Sequence, residues 1–213
     1  MPRRTLARRL PNVKFGELPA GSPVIIKKSM YTKVSIPKNG DGAGCPVSRS
    51  SNIILIDVDD IKMEPIREVG NTALKGDLEL VEGAKAVAIY ATPTTITETE
   101  EFSGDADARG VKQGVEYEHP GNSAEIKGFS EAFMNRGVVI LVTDCDGTAA
   151  GRTQMFGRKC NPLFMSAERT GNNEANKRKF TFKQELNDKF LPGDYTGAMP
   201  AIADAAKPAG ETV

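Results

Sequence analysis

The chain contains no tryptophan, one histidine and three cysteines in 213 residues, and only 6% of it is aromatic. Each scarcity removes a class of function. With His119 as the sole imidazole, a multi-histidine metal centre is excluded. Cys45, Cys145 and Cys160 form no CxxC pair, so neither a structural zinc site nor a disulfide framework is expected. Free, buried thiols are the plain reading of these three residues. No run approaches the ~18 consecutive apolar residues of a membrane span, and the first residues lack the apolar centre of a secretory signal. The expectation is a protein made in the cytoplasm with no membrane partner. Lys and Arg number 28 against 28 Asp and Glu. That balance argues against a protein that coats nucleic acid. An apolar content of 39% supports one moderately sized core with extended surface segments.

What is present is mostly β-pattern. Residues 1–18 read as an N-terminal arm whose Arg3, Arg4, Arg8 and Arg9 are spaced to line one side of a helical turn, with Leu6 and Leu10 near the other. Such an arm suits an acidic partner surface, and a solvated terminus without a role is the competing reading. Pro23–Lys27 and Thr32–Ile36 are β-branched and bounded by Gly or Pro. Residues 37–51 form a long Gly-, Pro- and Ser-rich loop without the spacing of a phosphate-binding loop. Asn52–Val58 is a continuous apolar run that predicts a strand buried on both faces, and Asp57, Asp59 and Asp60 after it read as solvated turn residues.

The segment Thr94–Phe102 is a Thr-rich strand with little apolar content. Glu98, Glu100 and Glu101 on it are expected to form an exposed acidic face. Asp105 and Asp107 lack the further oxygen ligands that calcium requires. Val111, Val115 and Tyr117 alternate with Lys112, Glu116 and Glu118 in a half-buried strand ending at His119-Pro120-Gly121, where His119 reads as a hydrogen-bonded turn residue. Asn122–Glu125 resembles a helix start, and Ile126, Phe129 and Phe133 share a face. A single helix over about 122–135 is therefore predicted, closed by Asn135-Arg136-Gly137.

Strand Val138–Thr143 then leads into Asp144-Cys145-Asp146-Gly147-Thr148. This matches the DxDGT signature of haloacid-dehalogenase-like phosphatases, in which Asp144 would be the nucleophile, Asp146 the general acid/base and magnesium the charge neutraliser. The competing reading is a hairpin turn, since Asp-Gly accepts the positive φ that hairpins demand. That family opens with the motif on the first strand of a parallel sheet; here it falls two-thirds along the chain, with no repeating β-α pattern after it. Residues 161–168 and 179–184 complete the strands. Residues 191–213, rich in small residues and Pro, are expected as an extended C-terminal tail.

The fold class is thus mainly β (α+β): an antiparallel sandwich or barrel over residues 19–190 flanked by one short helix. The run Tyr117–Gly121 into the helix, and Gly171-Asn-Asn-Glu-Ala-Asn-Lys-Arg-Lys-Phe before the last strand, resemble the tail tube proteins of long-tailed bacteriophages. They are similar also to the tubes of contractile injection systems. The resemblance covers about 75 residues well. It implies a structural subunit of the virion tail, without catalytic residues or cofactors, that assembles with itself and with other tail proteins into stacked, hexameric rings through which DNA passes without tight binding. By the same resemblance, Arg3, Arg4, Arg8 and Arg9 become candidate inter-ring contacts and Glu98, Glu100 and Glu101 candidates for the lumen wall. A head-tail joining or ligand-binding β-sandwich module, and the magnesium-dependent phosphatase, remain the alternatives.

Overall fold

The computed structural model describes residues 35–37, 45–67, 71–145 and 152–204, all within one compact unit. The basic arm, the strand at 23–27, most of the one at 32–36, residues 38–44 of the 37–51 loop, and Asp146-Gly147-Thr148 lie outside the described residues. Fourteen strands and one helix follow in order: β1 (Ser48–Arg49), β2 (Asn52–Asp57), β3 (Ile61–Met63), β4 (Ile66–Arg67), β5 (Ala73–Lys75), β6 (Glu79–Leu80), β7 (Val87–Tyr90) and β8 (Thr97–Ser103). Then come β9 (Gly110–Pro120), α1 (Ala124–Ala132), β10 (Gly137–Cys145), β11 (Arg152–Phe156), β12 (Leu163–Gly171), β13 (Asn176–Gln184) and β14 (Gly193–Tyr195). The fold is mainly β and sandwich-like, and among the described residues the sheet does not close into a barrel.

The main sheet runs β4-β5-β14-β11-β10-β12-β13-β9-β8, with β2 and β1 on the other edge of β10 and β7 beyond β2. Every pairing is antiparallel except β14 with β5. β3 and β6 pair separately. Strands β2 and β10 lie at the centre because their sequences are apolar at consecutive positions, which only a strand covered on both faces can use. Ile53 and Leu55 with Val138, Ile140 and Val142 enter one core, while Ile54 and Ile56 with Val139 and Leu141 enter a second. The first core is completed by Val115, Tyr117, Phe180 and Phe182, whose alternation along β9 and β13 places them on one side of those strands.

Helix α1 closes this core. Ser123 caps it by accepting from the Ile126 amide, and Ile126 and Phe129 press inward, with Phe129 edge-on to Phe180 at 5.7 Å. The helix stops at Phe133, whose amide still bonds the Phe129 carbonyl, so it is shorter than the expected 122–135. Only about two and a half turns are needed to span the strands it covers.

Five expectations are corrected. The tail from 191 is, as far as residue 204, part of the fold: β14 pairs with both β11 and β5, the Tyr195 hydroxyl accepts from the Leu78 amide and donates to the Ala198 carbonyl, and Ala203 bonds Ala86. Asp57 is buried rather than solvated; it accepts from the Asp59 amide and pairs with Arg136 at 2.5 Å. The three cysteines are free but exposed. Residues 93–95 form a 3-10 turn, so the polar strand begins only at Thr97. His119 lies within β9 rather than in a turn, and its Nδ1 is 2.8 Å from the carbonyl of Tyr90 on β7, 29 residues away in sequence.

A second tie holds the loop after β13 to the core. Arg158 grips the buried Asp188 carboxylate through Nε and Nη2 at 2.9 and 3.0 Å, and the Lys189 and Phe190 amides satisfy its Oδ1. Removing the guanidinium leaves a buried carboxylate without its counter-ion, which costs far more than a surface pair. Arg158→Ala is expected to destabilise the fold by about 2–3 kcal/mol in denaturant titration, with little dependence on salt.

Candidate assembly interface

The four strands β8-β9-β13-β12 form the outermost part of the sheet, and their registers fix which side chains share a face. One face carries Val115, Tyr117, Phe180 and Phe182 into the core. The opposite face carries Thr97, Thr99, Glu101 and Ser103 on β8; Lys112, Gly114, Glu116 and Glu118 on β9; Lys177, Lys179, Thr181 and Lys183 on β13; and Ser166, Glu168 and Thr170 on β12. Four carboxylates (Glu101, Glu116, Glu118, Glu168) meet four ammonium groups (Lys112, Lys177, Lys179, Lys183), so this broad polar surface is electrically neutral. Cross-strand pairs organise it: Lys179 with Glu116 and Lys177 with Glu118, each at 2.8 Å. The Lys179 ammonium, hydrogen-bonded to Glu116, holds that carboxyl below its ordinary range. A depressed value means the pair's contribution is present above the ordinary carboxylate range and is lost as pH falls through the folded value.

The three glutamates expected together are split by the period of two. Glu101 lies on the neutral polar face, whereas Glu98 and Glu100 point to the other side. Glu98 is not exposed: its side chain is 15% accessible and its Oε2 accepts from Arg49 Nη2 at 3.0 Å. Arg49 also reaches Asp144 Oδ1 at 3.4 Å. One guanidinium therefore serves two carboxylates from β8 and β10, and Glu98 Oε1 and Arg49 Nε are left buried without partners among the described residues. Burial pushes the Glu98 carboxyl up, with Arg49 opposing and Asp144 reinforcing the shift. A raised folded value makes this group's contribution most favourable below the ordinary carboxylate range and progressively lost as pH rises through the folded value. Relative to Glu98→Gln, wild type is therefore expected to lose thermal stability as pH rises from the ordinary carboxylate range through the raised folded value, read from paired melting curves.

Asp144, the candidate phosphatase nucleophile, sits on β10 between antiparallel neighbours and is engaged by Arg49. β10 and β11 pair antiparallel, Ile140 with Phe156 through Asp144 with Arg152. All strand neighbours of β10 among the described residues are antiparallel, which differs from the parallel-sheet setting expected for that signature.

Both outer edges of the four-stranded unit are free among the described residues. Strand β8 pairs only with β9, and β12 pairs with β10 only at Leu163 and Phe164, leaving Met165–Gly171 bonded on one side. The hydrogen-bond alternation identifies the outward groups. Glu118 accepts from the Thr92 amide on the β8 side, and Val111 bonds Asp188 on the β13 side, so even-numbered β9 residues bond β8. The backbone groups of Glu98, Glu100 and Phe102 consequently face away from β9. The same alternation carried through β13 leaves Met165, Ala167 and Arg169 facing away on β12. Sequence reading missed Arg49, Met165 and Arg169 entirely; strand parity from the terminal Gly171 turn could have flagged the last two. Natural sheets usually cover or shorten such edges, because a row of unpaired amides and carbonyls is a template for another strand. No family model, curated protein or solved structure matches this chain.

Proposed function

We propose that the chain is a structural subunit that assembles with copies of itself into rings, stacked as a tail tube for DNA passage. The observation that supports this best is the four-stranded unit with two free, similarly long edges and a neutral polar face between them. Edges on opposite sides of one sheet suit a heterologous contact, in which each copy offers β12 to the next copy's β8; such contacts either close into a ring or run on as a filament. In a closed ring the polar face lines one wall. Four carboxylates balanced by four ammonium groups, with Thr and Ser, offer phosphates no net attraction, as a conduit for a polyanion needs. Ring number six, the virion location and other tail proteins as partners come from the resemblance alone.

The test is the mass in solution of the purified chain at rising concentration, with negative-stain images of the same samples. Rings or tubes with a central hole support the proposal, and a particle that stays monomeric throughout contradicts it. A ligand-binding or head-tail joining module remains the second reading, favoured by a groove of about 480 Å³ between β7 and α1, lined by Val87, Ile89, Tyr90, Ile126 and Phe129.

A further inference from the structure

The two free edges are matched in length, in strand direction and in side chain. Strand directions alternate across β8, β9, β13 and β12, so a second copy placed beside β12 presents its β8 antiparallel to it. Only outward-facing residues can bond across that junction, which restricts the register to pairings of Glu98, Glu100 and Phe102 with Met165, Ala167 and Arg169. We infer that β12 of one copy pairs with β8 of the next with Arg169 opposite Glu98, Ala167 opposite Glu100 and Met165 opposite Phe102. This rests on the reading that the chain assembles with itself.

Three observations select this register. Glu98 has a buried carboxylate oxygen without a partner among the described residues, and a guanidinium brought to it on assembly would satisfy it. Arg169 is exposed and makes no ion pair among the described residues, so its guanidinium is available to supply that donor. Phe102 is 70% exposed on the core side of β8, an unusual place for a phenylalanine, and Met165 is the half-buried apolar side chain on the facing edge. The alternative shifted by two residues places Arg169 opposite the exposed Glu100 but sets Glu101 directly opposite Glu168, two like charges on the polar face. In the inferred register those two carboxylates face Ser166 and Thr99 instead.

Cysteine pairing tests it directly, since directly opposed residues of a hydrogen-bonded antiparallel pair lie about 5.5 Å apart at Cα, within reach of a disulfide. In a background with Cys45, Cys145 and Cys160 changed to Ser that still assembles, the double variant Phe102→Cys, Met165→Cys is expected to oxidise into a ladder of covalent oligomers. Phe102→Cys, Ala167→Cys is expected to give at least tenfold less. Arg169→Glu should abolish assembly and Arg169→Lys should retain part of it. Particles that assemble without the 102–165 ladder, or with an equal 102–167 ladder, overturn the register while leaving self-assembly standing. A wild-type chain that never assembles overturns the underlying reading as well.

Discussion

Phe180→Ala should destabilise the fold by about 3–5 kcal/mol, more than any other single truncation considered for this protein. Phe180 is fully buried and lies at the meeting point of helix and sheet: its ring is 5.4 Å from Tyr117, 5.7 Å from Phe129 and 6.5 Å from Phe182. Truncation removes apolar area and leaves a cavity that neighbours from three different elements would have to collapse into together. Strands β9 and β13 are held in register by backbone bonds and cannot close the gap without breaking them, so relaxation falls to α1. Equilibrium denaturation with guanidinium reads the loss as a lower midpoint at unchanged slope. A cost below about 1 kcal/mol would mean that the aromatic cluster is not the structural centre.

Glu100→Pro is expected to abolish assembly while leaving the monomer folded. Glu100 faces its backbone away from β9, so proline there removes a free-edge donor and places its ring where a neighbouring strand would bond. The ladder to β9 runs through Thr97, Thr99, Glu101 and Ser103 and stays intact. Glu101→Pro is the opposite case: its amide belongs to the β8–β9 ladder, and the expected result is loss of monomer stability. Glu100→Gln separates the side chain from the backbone, because it changes the charge and keeps the donor; it should still assemble. Mass in solution and far-ultraviolet circular dichroism of the three variants check the pattern together. Normal assembly of Glu100→Pro would show that β8 contributes no edge.

Local pattern carried most of the framework. The apolar run 53–56 announced a strand covered on both faces, the run 138–142 announced a strand, and Ser123 with Ile126, Phe129 and Phe133 announced the helix, because these signals depend only on neighbours in sequence. Long-range pairing was not legible. Residues 193–195 are Gly-Asp-Tyr, a composition that reads as loose chain, and they become a strand only because β5 and β11, about 120 and 40 residues earlier, leave a gap between them. The candidate interface was half legible. The polar character of Thr97–Ser103 was visible, but Glu98 departs from Glu101 by the two-residue period and is claimed by Arg49, a partner 49 residues away that no local pattern reveals. The exposure of Cys45, Cys145 and Cys160 likewise follows from where strands end, and thiol chemistry alone pointed inward.

The central claim is that this chain assembles through its own sheet edges, and the most direct test is the sedimentation mass of the purified protein across a wide concentration range, with images of the heaviest fraction. The account predicts a cooperative passage from monomer to closed rings or tubes with a central hole. A monomer at every concentration, under conditions where its circular dichroism shows the folded β-sheet, would contradict it.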